Sequence, residues 1–500
     1  MTNPSTPPLG AEPETPSVEI ETLLTQAAEA APRWAALTPR ARAAALAAVA
    51  DVLEANSEHL VAVADQETGL GVARLSGEVK RTAGQLRAYG AYAVTGAPFG
   101  VTIDHADPEA APPRPELRRH QVPLGPVEVF AGGNFPFAFS VAGTDTAAAL
   151  AAGCPVLLKA HPGHPRTSAT TAALVREALA EAGAPLGTFA LFTGRDAGVT
   201  VLRDPRVRAA AFTGSVRGGR ALFDIAAARP VPIPFFGELG SINPVVVTPA
   251  ALADRRADIV VGFAGSFTLG TGQFCTKPGV LLLPRDPLAV EEIAAQVRPA
   301  NAAPMLSAPI AEGYRRRLSE VAGATRTRVL VEGAVTTDED GRPQASPSLF
   351  AVATVEEFLQ EADNLLEECF GPSAVIVQYG GKDEAARVLD RLDGSLTVTF
   401  HTAEGDAGAL APLVELAQNK AGRVLFNGWP TGVAVIRAQQ HGGPYPAATS
   451  AQTSVGPYAV ERFLRPVAYQ DALPELLPAA LREDNPLQLV RTVDGKTETA

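Results

Sequence analysis

The feature that most constrains this chain is an alternation of short apolar runs and helical stretches that begins at Pro123 and resumes beyond Gly237–Asn243. In the first block Val127–Ala131, Pro155–Lys159, Thr188–Phe192 and Ala209–Phe212 read as strands. Ala138–Ala152, Thr167–Ala182, Asp196–Arg203 and Arg217–Ala228 read as the helices that follow them. Strands this short and this uniformly apolar are buried on both faces, and a helix after each strand carries the chain back across the sheet. The class predicted is α/β, with a doubly wound parallel sheet that binds ligands at the carboxyl ends of its strands. The second block has strands at Val245–Val247, Val280–Leu283, Ser373–Tyr379, Leu396–His401 and Val424–Phe426. Its helices are Ala253–Leu269, Leu288–Val297, Asp383–Leu392 and Ala407–Ala417. It predicts a second parallel sheet.

The flanks differ in character. Residues 1–14 are proline-rich and are expected to form a disordered arm. Thr15-Pro16 reads as a helix start, with the Thr15 hydroxyl as N-cap and proline at the first helical position. Thr38-Pro39 repeats the device ahead of Leu46, Val49 and Leu53, which recur at helical spacing. A third helix is expected over Gly77–Tyr92. Residues 97–122 then turn to Pro, Asp and β-formers, with Val101-Thr-Ile103 and Leu117–Val122 as a two-strand excursion suited to oligomerisation. Val467-Ala-Tyr469, in the tail from 445 to 500, is a strand that could pair with it. The division expected is a cofactor-binding unit over 15–238, a catalytic unit over 239–444 and a tail that joins the hairpin.

Composition narrows the classes. The 500 residues suffice for two or three domains, and 46% hydrophobic with 19% charged residues excludes a disordered chain. A net charge of −12 without any Lys/Arg run argues against nucleic acid or an anionic membrane as partner. No apolar run approaches the ~18 residues of a membrane span. Met1–Pro8 lacks the charged-then-apolar pattern of a secretion signal. The three cysteines have no paired spacing, which fits a reducing cytoplasm, and no CxxC or HExxH spacing suggests a metal.

Chemistry concentrates at a few positions. Cys275 lies in the Gly- and Thr-rich turn Thr268-Leu-Gly-Thr-Gly-Gln-Phe-Cys-Thr-Lys-Pro-Gly279, just before a strand, where backbone N–H groups can stabilise a thiolate or an oxyanion. Cys154, ahead of Pro-Val-Leu-Leu158, reads as core packing. Glu238 sits among Phe235, Phe236 and Leu239, so desolvation is expected to lift its pKa toward neutrality and suit it to general-base work; a salt-bridged hinge glutamate is the alternative. Asn134 in Gly132-Gly-Asn134 is either an oxyanion donor or an ordinary turn residue. Lys159 ends a strand and faces either the ligand crevice or solvent. Phe212-Thr-Gly-Ser215 joins a strand to a helix whose N-terminus suits a phosphate, though it fits neither GxGxxG nor a P-loop.

Taken together, Asn134-Phe-Pro136, Lys159, Phe212-Thr-Gly-Ser215, Glu238-Leu-Gly240, Gly272-Gln-Phe-Cys275 and Glu368-Cys-Phe-Gly-Pro372 occur in the order seen in the NAD(P)-dependent aldehyde dehydrogenase superfamily. The resemblance covers about residues 20–470. It implies that Cys275 is a nucleophile forming a thiohemiacetal, that Asn134 and the Cys275 backbone N–H hold the oxyanion, and that Glu238 activates the water that hydrolyses the thioester. It also implies that Lys159 and Glu368 hold ribose hydroxyls, that Phe370 packs near the nicotinamide, and that Gly214 and Ser215 border the pyrophosphate.

Departures from the pattern carry their own expectations. NAD-preferring members often have a glutamate three residues after the strand-end lysine; here Pro162 stands there. With no carboxylate to repel a 2′-phosphate, and with His161, His164 and Arg195 near, NADP is the expected cofactor and NAD the alternative. Gly237-Glu-Leu-Gly-Ser-Ile-Asn-Pro244 and His441-Gly-Gly-Pro-Tyr-Pro-Ala447 resemble the branch holding 2-oxoglutarate semialdehyde dehydrogenases and an NADP-linked fatty-aldehyde dehydrogenase. In that branch His441 reaches the active site and tunes Cys275 and Glu238; a structural turn histidine is the alternative. The expected substrate is 2-oxoglutarate semialdehyde, then a medium- or long-chain aldehyde. Arg437 is the candidate for holding a substrate carboxylate. A CoA-acylating reductase and a silent scaffold are the competing classes; the presence of Glu238 counts against the first, and that of Cys275, Asn134 and Glu238 together against the second. A homodimer or homotetramer is expected.

Overall fold

The computed structural model describes residues 13–499. Four helices open the chain: α1 (Ser17–Ala36), α2 (Pro39–Ala55), α3 (Ser57–Thr68) and α4 (Val72–Val94). The Thr38 hydroxyl accepts from the Ala41 N–H, as its Thr-Pro signature predicts. Thr15 behaves otherwise. Pro16 takes the N-cap of α1, and the Thr15 hydroxyl accepts from the Thr193 N–H at 2.9 Å, tying the chain start to the end of a sheet strand. Most of the expected arm, residues 1–12, lies outside the described residues. Pro13 and Glu14 are held, through Thr193 and a helix N-terminus.

The hairpin strands β1 (Val101–Asp104) and β2 (Leu117–Pro123) lead into the first alternating block. There β3 (Val127–Phe130), β4 (Val156–Lys159), β5 (Phe189–Phe192), β6 (Ala209–Thr213) and β7 (Phe235–Glu238) alternate with α5 (Thr144–Ala152), α6 (Pro165–Glu181), α7 (Arg195–Arg203) and α8 (Val216–Ala227). All five strands are parallel, in the order β5-β4-β3-β6-β7, and Glu238 ends the edge strand, which sequence reading missed. Helix α5 begins six residues later than expected. The N–H groups of Phe137 and Ala138 donate instead to a Glu78 carboxylate oxygen on α4, so that stretch folds as turns.

The second block holds β8 (Val245–Val247), α9 (Pro249–Thr268), β9 (Val280–Pro284), α10 (Pro287–Val297), β10 (Ala303–Pro304), α11 (Ala308–Ala322), β11 (Arg328–Val331), β12 (Val335–Thr337), β13 (Pro343–Ala345) and β14 (Ser348–Val352). It continues with α12 (Val355–Gln360), α13 (Ala362–Leu365), β15 (Ser373–Tyr379), α14 (Lys382–Arg391), β16 (Ser395–His401), α15 (Ala407–Gln418) and β17 (Ala421–Phe426). Its seven-stranded sheet runs β11-β14-β15-β9-β8-β16-β17 and is parallel except for the antiparallel edge strand β11. Successive residues of β9 go to opposite cores: Val280 and Leu282 pack with Val375 and Val377, Leu281 and Leu283 with Ile376. Burial on both faces is why Val280-Leu-Leu-Leu283 of β9 carries no alternation.

The tail supplies β18 (Leu464–Gln470), β19 (Arg491–Val493) and β20 (Lys496–Glu498). Strand β18 pairs antiparallel with β2, Tyr469 opposite Arg118, and β19 pairs parallel with β1. A five-stranded sheet, β18-β2-β1-β19-β20, replaces the simple hairpin. Among the described residues no helix is long and apolar enough to cross a membrane.

Candidate active site

Helix α9 ends at Thr268, and the chain turns through Gly270, Thr271 and Gly272 at φ of 56°, 58° and 63°. Two glycines make that left-handed path cheap. Gly272 is also forced by packing, because a Cβ there would stand 2.2 Å from the Gly371 carbonyl oxygen. The turn thus presses against the loop carrying Glu368 and Phe370. It delivers Cys275 half-buried at its end, while Cys154 and Cys369 are buried. Two buried groups clamp the turn from below. Asn243 Nδ2 donates to the carbonyls of Cys275 (2.8 Å) and Lys277 (3.0 Å), and Asn243 Oδ1 accepts from the Ser241 hydroxyl at 2.6 Å. Lys277 Nζ donates to the carbonyls of Cys369 (3.0 Å) and Ser373 (2.8 Å).

Three elements far apart in sequence meet at the thiol. Cys275 Sγ lies 3.6 Å from His441 Nε2, and His441 Nε2 lies 2.9 Å from Glu238 Oε1. Ser454 Oγ donates to Glu238 Oε2 at 2.7 Å. Glu238 and His441 are 3% and 1% exposed, so both are withdrawn from bulk water. Burial alone would lift the Glu238 carboxyl, as expected from its aromatic neighbours. The His441 ring beside it and the hydrogen bonds from His441 and Ser454 outweigh burial, and the carboxyl is held below its ordinary range. The expected rise is therefore wrong in sign, because no sequence window shows the partners. Burial and the Glu238 charge push the Cys275 thiol well up, so it rests protonated beside a carboxylate. The ligand atoms of Glu238, Cys275 and His441 lie within 4.8 Å of one another, which is also the spacing of a three-donor metal site. Linear spacing could not suggest it.

Asn134 follows β3 and stands opposite the turn. Its Nδ2 donates to the Gln273 carbonyl at 3.0 Å, which fixes the amide beside the Cys275 turn and leaves a second N–H able to donate. The Arg437 guanidinium lies over the Tyr92 ring, 5.9 Å from its centroid.

The first sheet offers the cofactor side. Two of its helix N-termini are already filled, one from α3 and one from the segment before α1. Glu67 accepts from the Arg166 and Thr167 N–H groups of α6, and Glu14 from Asp196 and Ala197 of α7. The α8 N-terminus has no carboxylate among the described residues; Ser215 Oγ accepts from Gly218 N–H, and Gly214 and Ser215 are exposed. This end therefore fits a phosphate anion. Lys159 is half-buried at the end of β4, and Glu368 Oε2 lies 3.2 Å from where a Gly240 Cβ would stand. Burial raises the Glu368 carboxyl to about 7, against the pull of Lys277. Phe370 is half-buried beside them. His161 sits under Gly133, stacked on His164 at 5.2 Å, and burial with the nearby His164 and Lys159 holds its ring well below the ordinary range. It is neutral near pH 7 and offers a phosphate no charge. Arg195 is exposed at the start of α7.

The aldehyde dehydrogenase family pattern matches residues 2–467. The chain belongs to the aldehyde dehydrogenase family. Its members are NAD(P)-dependent oxidoreductases acting on small aldehydes, and this enzyme shares their fold. It is 47% identical over 468 residues to alpha-ketoglutaric semialdehyde dehydrogenase 2 of Azospirillum brasilense, covering 92% of this chain and 88% of that one. It is 40% identical over 482 residues to the alpha-ketoglutaric semialdehyde dehydrogenase of Acinetobacter baylyi, covering 95% and 91%. A crystal structure of an NAD-dependent aldehyde dehydrogenase from Sinorhizobium meliloti superposes with a TM-score of 0.78 at 24% identity, over 93% of this chain and 89% of that one.

Sequence reasoning missed Ser454, Asn243, Lys277, Glu14 and Glu67. Ser454 and Asn243 stand in polar turns without an apolar period. The two glutamates read as ordinary surface charges.

Proposed function

We propose that this enzyme oxidises 2-oxoglutarate semialdehyde to 2-oxoglutarate. The observation that carries the reading is the convergence of Cys275, Glu238, His441 and Asn134, in a chain 47% and 40% identical to two enzymes named for that substrate. Cys275 adds to the aldehyde carbon as its thiol proton passes to Glu238, which is ionised and hydrogen-bonded to the thiol and so placed to accept it. His441 holds that carboxylate in place. Asn134 and the Cys275 N–H receive the developing oxyanion. Bound NAD(P) supplies the two-electron acceptor. Once that proton has been released to solvent, Glu238 deprotonates the water that hydrolyses the thioester, and the Cys275 thiolate leaves.

Lys159 and Glu368 would hold the ribose, Gly214 and Ser215 the pyrophosphate, and Phe370 the nicotinamide face. NADP is favoured by Pro162 in place of an acid and by the exposed Arg195; His161 contributes shape rather than charge. The sheet over residues 127–238 is the cofactor unit, that over 245–426 the catalytic unit. The exposed edge strands of the five-stranded sheet suit a homodimer or homotetramer.

Initial rates with 2-oxoglutarate semialdehyde and with hexanal, each with NADP and NAD, test the reading. A kcat/KM favouring the dicarbonyl acid by about a hundredfold, roughly 2.7 kcal/mol of transition-state discrimination, is expected. Preference for hexanal would replace it with a fatty-aldehyde enzyme.

A further inference from the structure

One face of α4 carries Arg74, Glu78, Arg81 and Gln85, spaced four, three and four residues apart so that they stack along one side of the helix. That face is latched to the loop bearing Asn134. Arg74 Nη2 donates to the Asn134 carbonyl at 2.7 Å, Glu78 Oε1 accepts from Phe137 and Ala138, and Gln85 Nε2 donates to the Ala138 carbonyl at 3.2 Å. The two guanidiniums lie over the aromatic lining of the nucleophile's surroundings. Arg74 is 5.1 Å from the Phe135 ring and 4.9 Å from Phe274, the residue before Cys275; Arg81 is 5.8 Å from Phe135 and 5.6 Å from Phe139. Arg81 is also among the charges that act on the Cys275 thiol.

These guanidiniums are incompletely used. Arg74 Nε and Nη1 and Arg81 Nη2 are buried and have no hydrogen-bond partner among the described residues, while Arg81 Nε donates to Gln85. Buried charged donors are normally satisfied, and each one left open favours any ligand that fills it. Glu78 is the one carboxylate between them, and one of its oxygens is spent on the loop, so two positive charges face one negative. A guanidinium stacked on a ring keeps its N–H edge free for the in-plane, two-point contact a carboxylate makes.

The geometry points to Arg74 and Arg81 as the site for the substrate's carboxylate, which selects ω-semialdehyde acids over uncharged aldehydes at Cys275. This inference rests on the substrate reading above and supplies the arginine which that reading lacks. An extended dicarbonyl acid places its carboxylate carbon four bonds, roughly 5 Å, from the aldehyde carbon. The aromatic rings then wall its methylenes while the arginines take its charged end.

The test uses the full enzyme with Arg74→Gln, Arg81→Gln and Arg81→Lys. The ratio of kcat/KM for 2-oxoglutarate semialdehyde over hexanal should fall at least thirtyfold in the Gln variants, and less in Arg81→Lys, which keeps charge but not the two-point contact. Glutarate, an unreactive dicarboxylate, should compete with hexanal in the parent enzyme and lose at least tenfold in inhibition in the Gln variants. An unchanged ratio together with unchanged glutarate inhibition overturns the assignment. The parent's own preference decides the substrate reading separately: a parent that prefers hexanal sinks that reading, and the glutarate arm still decides whether the arginines bind a carboxylate.

Discussion

At the scale of residues, the site works by opposing shifts. Burial pushes both Cys275 and Glu238 toward their neutral forms, yet His441 and Ser454 keep the carboxylate ionised beside a protonated thiol. On the mechanism proposed above, the proton passes from one to the other as the thiol adds to the aldehyde. The sign of a pH effect follows. Replacing His441 with Asn removes the ring that holds the Glu238 carboxyl down, so burial dominates and that pKa rises. The acid limb of the kcat/KM profile should therefore move to higher pH, by about one unit or more. A pH–rate profile for the oxidation checks this, and an unmoved limb would show that His441 is only a turn residue.

At the scale of elements, the nucleophile turn is held by a polar network that spans both sheets' junction. Asn243 is fully buried at φ 52° and donates to two carbonyls of the turn. It also accepts from Ser241 and from Thr397 on β16. Asn243→Ala leaves these groups unpaired and keeps an awkward backbone, so unfolding free energy should drop by roughly 2–4 kcal/mol. Asn243→Gly relieves the backbone but not the hydrogen bonds, so it should recover only part of the loss. Denaturant titration of both variants separates the two contributions; full recovery by glycine would leave the network without a role. Ser241 belongs to the same network: its hydroxyl accepts from the Leu396 N–H and donates to Asn243.

At the scale of the whole molecule, the N-terminal helices and the segment before them set the surroundings of the cofactor sheet. Glu14 crosses to the N-terminus of α7, near Lys159 and directly before Arg195, and Gly194 is packed against it. A 2′-phosphate held there would meet a carboxylate that the absence of an acid at Pro162 did not foretell. Glu14→Gln should raise the ratio of kcat/KM for NADP over NAD by about threefold to tenfold, as removal of a like charge at a partly screened site allows. Steady-state kinetics with both cofactors reads this ratio, and an unchanged value would confine Glu14 to helix capping.

Much of this protein was legible in its residues. The alternation of short strands and helices pointed to parallel sheets with helices on both faces, and a strand at Val467–Tyr469 that pairs with the hairpin was visible, though it runs longer, over Leu464–Gln470. Cys275, Glu238 and Asn134 stood out because each combines a reactive group with a turn or an aromatic setting that local chemistry explains. Tertiary structure alone decided the rest. His441 and Ser454 lie 203 and 216 residues from Glu238, and their contact reverses the direction of its pKa shift. Arg74, Arg81, Glu14 and Lys277 read as surface charges in a linear chain; folding makes Glu14 a helix cap and Lys277 a clamp, and places the two arginines where the proposed carboxylate site would need them. Local sequence sets backbone preference and hydrophobic pattern over a few residues, whereas electrostatics at a buried site sums over every charge that the fold brings near.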